Sequence, residues 1–98
     1  MVHVLVRHKV AEFARWKEAF DSHVLARRRA GEISFRLFHS VEDPTDITLL
    51  FEWESADAAR KFMTSSELRL RMQEAGVQGS PEVQYLEDVR SVHRTSAD

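Results

Sequence analysis

Cysteine is absent from the 98 residues, which excludes disulfides, thiolate nucleophiles and cysteine metal sites. Glycine and proline are scarce, at 3 and 2 residues, and no stretch rich in Gly, Ser or Pro divides the chain. One domain is therefore expected over residues 1–90, with the polar stretch 91–98 as a flexible tail. An excess of either charge is also missing: 14 Lys+Arg stand against 16 Asp+Glu, a net charge of −2. Such a chain has no basic field to displace counterions from phosphates, so nucleic acid is not its main partner. Long apolar runs are lacking too. The N-terminal Met-Val-His-Val-Leu-Val-Arg-His-Lys is broken by His and Arg and is too short for a membrane span or a signal-peptide core. A cytoplasmic protein without membrane partners is the expectation. Nucleophile elbows, phosphate-cradling glycine loops and paired catalytic carboxylates are not found. His3 and His8 have opposite strand parity, and no carboxylate–histidine pair falls at i, i+4 beside a third ligand, so neither a metal nor another cofactor is expected.

What the chain does have is 43% apolar and 31% charged residues. A domain of this size buries roughly 60–65% of its unfolded surface, a thin core for which oligomerisation is a natural supplement. Val2 to Lys9 is β-branched and reads as a strand. From Ala11 to Ala30, Phe13, Trp16, Phe20 and Val24 recur at helical spacing, and Gly31 stands where a left-handed C-cap belongs, which predicts one long amphipathic helix. Ile33 to Ser40 and Ile47 to Glu54 return to period 2 and flank the turn residues Glu42-Asp43-Pro44-Thr45-Asp46, predicting a hairpin. Ser55 is the expected N-cap of a helix carrying Ala59, Phe62 and Met63. Ser65-Ser66-Glu67 marks a break and a fresh N-cap, after which Leu68, Met72 and Ala75 form a stripe that ends at Gly76. Gly79-Ser80-Pro81 reads as a stop, and Glu82 to Val89 as the last strand.

The order βαββαβ, folded with right-handed crossovers, gives a four-stranded antiparallel sheet of order 4-1-3-2 with both helices on one face. This is the ferredoxin-like α+β sandwich. Strand parity sorts Ile33, Phe35, Leu37, Ile47, Leu49, Phe51 and Trp53 onto the face under the helices. Ser34, Arg36, Phe38, Thr48, Leu50 and Glu52 form the other face, where Phe38 and Leu50 predict packing on a second copy of the sheet.

The strand ending Glu52-Trp53, the helix from Ser55 to Phe62, the Ser65-Ser66-Glu67-Leu68 break and the Pro81-Glu82-Val83 strand together resemble the dimeric α/β-barrel superfamily. Within it, the likeness is to antibiotic-biosynthesis-monooxygenase-like domains, and it extends over the chain to Val89. The resemblance implies a homodimer joined sheet to sheet and a small apolar or aromatic ligand held between sheet and helices. Activities in the superfamily include cofactor-free quinone-forming oxygenation, haem degradation, polyketide cyclisation and isomerisation, so membership does not fix a reaction. The haem-degrading branch uses an Asn on the first strand with a Trp and a His on the second helix. Here the first strand has no Asn, and Phe62 and Met72 stand near the other two places.

At about 100° per residue, His23 and Arg27 fall on the apolar stripe of the first helix. An Arg there must be paired, reach solvent or meet a ligand anion. One account has Arg27 snorkel past the sheet edge and complement the helix dipole beside Arg28 and Arg29. His23 is either a satisfied core histidine or a proton acceptor facing a pocket. Trp16, Trp53, Phe62 and Met63 suit the lining of an aromatic ligand's cavity, with core packing as the competing account. Arg36 is a further substrate-binding candidate, although a cross-strand ion pair with Glu52 is its simplest explanation. His8 and His39 stand at strand ends, where histidines are mostly solvated. By resemblance, the expected function is cofactor-independent oxygenation of a phenolic or polyketide-like molecule. His23 then assists deprotonation, Arg27 stabilises the oxyanion, and Trp53 with Phe62 holds the ring. The alternatives are an isomerase or cyclase of the same fold, or a non-catalytic ligand-binding or stress-response module.

Overall fold

The computed structural model describes residues 2–92, so the expectations for Met1 and for residues 93–98 of the tail lie outside the described residues. Four strands, β1 (Val2–Val10), β2 (Glu32–His39), β3 (Asp46–Trp53) and β4 (Val77–Glu87), form one sheet of order β2-β3-β1-β4. Read from the other edge, this is the expected 4-1-3-2, with every neighbouring pair antiparallel. The helices are α1 (Phe13–Ser22), α2 (Val24–Ala30), α3 (Ala56–Met63) and α4 (Ser66–Glu74). The fold is the ferredoxin-like α+β sandwich. No helix among the described residues is long and apolar enough to cross a membrane.

The core lies between helices and sheet. Val4, Val6 and Val10 of β1 and Ile47, Leu49, Phe51 and Trp53 of β3 are all buried, with Trp16 and Ala59 packed over them from the helices. Alternation along these two central strands follows the expected parity because both have partners on each side. The caps also form as the sequence predicts. Ser55 Oγ accepts the Ala58 N–H at 3.1 Å, and Ser65 Oγ accepts the Leu68 N–H at 3.2 Å. Gly31 closes α2 at φ 117°, and a Cβ there would sit 2.8 Å from Trp53 Nε1, so the position requires glycine for conformation and for space.

Three expectations are corrected. The single helix over residues 11–30 is two helices, because the chain turns at His23 (φ −94°, ψ 12°) and the His23 N–H bonds the Phe20 carbonyl at 3.2 Å, three residues back. That shorter bond is the tight geometry common at helix ends. Second, β2 does not keep one parity throughout. Glu32 pairs with Trp53, but Ser34 pairs with Glu52, so Ile33 is an extra residue, a β-bulge. The bulge turns Glu32 into the core, at 8% exposure, and leaves Ile33 53% exposed; Phe35, on the edge strand, is also exposed. Third, Gly79-Ser80-Pro81 is no stop. It lies inside β4 where the strand's register against β1 shifts, between the pairs Arg7↔Glu82 and Lys9↔Gln78.

The other face of the sheet carries half-buried Leu5 and Leu50, which face each other across β1 and β3, with exposed Phe38 and Leu86 on the flanking strands. Arg36 lies on this face opposite Leu50 and places its guanidinium 5.0 Å from the Phe38 ring. It does not form the expected ion pair with Glu52. The regular register places Ser34 opposite Glu52, and Ser34 Oγ donates to that carboxylate at 3.1 Å.

Candidate functional site

A cavity of about 370 Å³ opens between the inner face of the sheet and the four helices, at the lower end of the range for small-molecule sites. Val6, Leu49 and Phe51 of the sheet meet Trp16 and Phe20 of α1 across it, and Phe62 and Met63 of α3 with Leu68 and Met72 of α4 close the far side. The Trp16 and Phe20 rings stack at 5.1 Å, with 20° between their planes. Into this aromatic surface project His8, His23, Arg27 and Arg71. A second cavity, about 530 Å³, lies against β4 and shares Met63, Leu68 and Met72 with the first; it is lined by no imidazole and no aromatic ring. The first is therefore the candidate site.

Among the expected site residues, His23, Arg27, Trp16, Phe62 and Met63 all line this cavity. Trp53 does not. It is fully buried in the core, and its Nε1–H donates to the Ala30 carbonyl at 3.0 Å. Arg36 is on the opposite face of the sheet. The snorkelling account of Arg27 also fails, since the residue is only 3% exposed. Its Nε donates to Glu32 at 2.5 Å, one terminal nitrogen donates to the Phe20 carbonyl at 2.5 Å, and the guanidinium carbon lies 3.7 Å from the Phe20 ring centroid. The charge is thus neutralised by a carboxylate that the bulge delivers, and the Phe20 carbonyl, which already accepts the His23 N–H, gains a second donor.

His23 occupies the junction of α1 and α2, with its ring 5.9 Å from Phe62. Its pKa is lowered first by desolvation, then by the positive charges of Arg71 and Arg27, with Glu67 opposing. The imidazole is consequently held neutral and able to accept a proton. Arg71 and Arg15 both line the cavity and form no ion pair among the described residues, and the carboxylates Glu18 and Glu74 line it too.

Three participants escaped the sequence reading. His8 shares the parity of Val4, Val6 and Val10, a signal that was there to be used, and it is 6% exposed rather than solvated. Arg71 lies one turn from Leu68 on α4, so the stripe of that helix pointed to it. Glu32 was hidden by the bulge.

Burial lowers the His8 pKa, as it does that of His23. Between those lowered values and the ordinary 6.5, the unfolded chain binds more protons than the folded one, so stability rises with pH there and is lost as pH falls. Asp43 and Asp46 are held below their usual 3.8 by hydrogen bonds from Thr45 and Arg7, and act in the same direction only in that lower window. The urea midpoint is accordingly expected to fall between about pH 7 and about pH 5, and the His8→Phe variant to show a smaller fall. An identical pH slope in the variant would show that His8 is hydrated in the folded state.

The structure is thus a ferredoxin-like α+β domain with a cavity between helices and sheet that two imidazoles and several aromatic rings line. The family model for antibiotic biosynthesis monooxygenase matches residues 1–74, and the chain belongs to that family. Among solved structures, a Bordetella bronchiseptica protein carrying the antibiotic biosynthesis monooxygenase name superposes with a TM-score of 0.76 at 20% identity, covering 91% of this chain and 97% of its own. SnoaB, a cofactor-independent oxygenase from Streptomyces nogalater, gives 0.75 at 14% identity, with 95% and 97% covered. A Deinococcus radiodurans protein with the same family name gives 0.72 at 11% identity, with 98% and 100% covered. At these identities the likeness is one of fold. No curated protein matches the chain.

Proposed function

We propose that the protein is a cofactor-independent oxygenase of a small phenolic or polyketide-like molecule and that it works as a cytoplasmic homodimer. The observation carrying this reading is His23 on the wall of a cavity that Trp16, Phe20, Phe51 and Phe62 also line. His23 takes the phenolic proton, and the resulting oxyanion is stabilised by Arg71 together with the terminal nitrogen of Arg27 that bonds neither Glu32 nor Phe20. Trp16 and Phe62 hold the ring. The electron-rich phenolate is then the reductant for oxygen. One oxygen atom enters the ring and the other leaves as water, so that phenol and oxygen become quinone and water with every atom balanced. Family membership and the fold shared with SnoaB support the assignment.

Oxygen consumption on a panel of phenols and naphthols tests the reading. One equivalent of oxygen taken up per quinone formed is the expected result. Turnover of an enolisable ketone with no oxygen uptake would instead identify an isomerase, and binding without turnover a ligand-binding module.

Dimerisation through the outer sheet face is supported by the strip formed by Leu5, Leu50, Phe38 and Leu86. Sedimentation is expected to give a dimer at micromolar concentration and a monomer for Leu50→Glu, because a carboxylate in the middle of the strip has no partner when the two faces close. A monomeric wild type would refute the arrangement.

A further inference from the structure

The second cavity, of about 530 Å³, is larger than the candidate site, and the two have Met63, Leu68 and Met72 as a common wall. Its remaining side is built by α4 and β4. Val77, Pro81 and Val83 of β4 are half-buried there and complete an apolar floor with the three shared side chains, while Thr64, Arg69, Gln73 and Ser80 stand exposed around it. Ser65 is the one half-buried polar side chain of the lining. Its hydroxyl is already spent, because it donates to the Phe62 carbonyl at 2.8 Å and accepts the Leu68 N–H at 3.2 Å. The floor therefore offers apolar surface to cover and no free hydrogen-bonding side chain.

We propose that this second cavity receives the aliphatic chain of a ligand whose ring lies in the first, so that the ligand is an aromatic molecule carrying an alkyl tail. This rests on reading the first cavity as the ligand site, but not on any reaction there. Trp16, Phe20, Phe51 and Phe62 surround a ring in the first cavity, whereas the aliphatic and thioether side chains of the second match a chain of methylenes. Each cavity suits one half of such a molecule. At about 370 Å³ the first is small for both halves together, and two of the three residues of the common wall are methionines, whose unbranched side chains repack readily around an inserted group. Met63 and Met72 are half-buried and not locked into the core. Each methylene moved from water onto the apolar floor adds affinity without any polar contact.

The test compares 4-methylphenol with 4-octylphenol, without oxygen, by calorimetry. Wild type is expected to bind one molecule of either per chain, and the octyl compound more tightly by at least about 15-fold, the contribution of two buried methylenes. Val83 lines the second cavity and not the first. Val83→Phe should therefore remove most of that gain and leave 4-methylphenol bound as before. Should the variant fold poorly, the methyl resonances of Val77 and Val83 in the wild type provide the same answer, since both residues line the second cavity alone: they should move with 4-octylphenol and stay in place with 4-methylphenol. A gain that survives in a folded Val83→Phe, or valine signals indifferent to the chain, overturns the inference. Binding of 4-methylphenol with no gain from the tail overturns it and keeps the first cavity as the ligand site, whereas binding of neither compound overturns both. A chain preference that disappears in Val83→Phe, in a protein that consumes no oxygen with any phenol, sustains the inference and overturns the oxygenase reading alone.

Discussion

Replacing Glu32 with alanine is expected to destabilise the protein by roughly 3–5 kcal/mol, a large fraction of the stability of a domain this size. The reason is the charge left behind. Arg27 and Glu32 are 3% and 8% exposed, and without the carboxylate the guanidinium keeps only the Phe20 carbonyl inside a medium that solvates ions poorly. Arg27→Met leaves Glu32 in the same position and is expected to destabilise by a similar amount. The double variant Arg27→Met/Glu32→Leu removes both charges while keeping most of the volume, and should be close to neutral or more stable than wild type. Urea unfolding of the four proteins forms the thermodynamic cycle. If Glu32→Ala lowers stability by less than about 1 kcal/mol, the pair is behaving as a hydrated surface bridge, and its buried character is refuted.

His23→Phe should lower turnover on the order of 10²-fold or more while leaving the affinity for 1-naphthol largely intact, because phenylalanine preserves the ring's packing against Phe62 and removes only proton exchange. The pH profile provides a second reading of the same residue. A base whose pKa lies below the ordinary 6.5 keeps accepting protons under mildly acidic conditions, so the acid limb of the rate should lie below 6.5. Turnover unchanged in the variant, or an acid limb above 6.5, would remove His23 from the chemistry.

These two residues also show where sequence reading succeeds and where it stops. The order of elements, the sheet topology and the serine caps are written in short-range patterns: hydrophobic period, turn residues and a hydroxyl three residues ahead of an N–H. His23 and Arg27 were visible because a polar residue on an apolar stripe violates its pattern. Glu32 was not visible, since whether it points inward depends on one bulged residue, and a bulge leaves no period of its own. The same slip put Ile33 in the core. Trp53 was placed at the ligand because periodicity identifies an inward-facing ring but does not distinguish cavity wall from packed interior.

The bulge at Ile33 ties together positions that lie on different elements. Pairing Ile33 instead of Glu32 with Trp53, at unchanged strand length, would turn Glu32 outward and strand Arg27 in the core, so a change of register by a single residue carries the penalty of a lost ion pair. Substitution of Arg27 or Glu32 alone meets the same barrier, whereas replacing the charged pair by apolar residues in one step does not. Along a lineage of such chains, Arg27 and Glu32 should therefore be inherited or discarded as a pair.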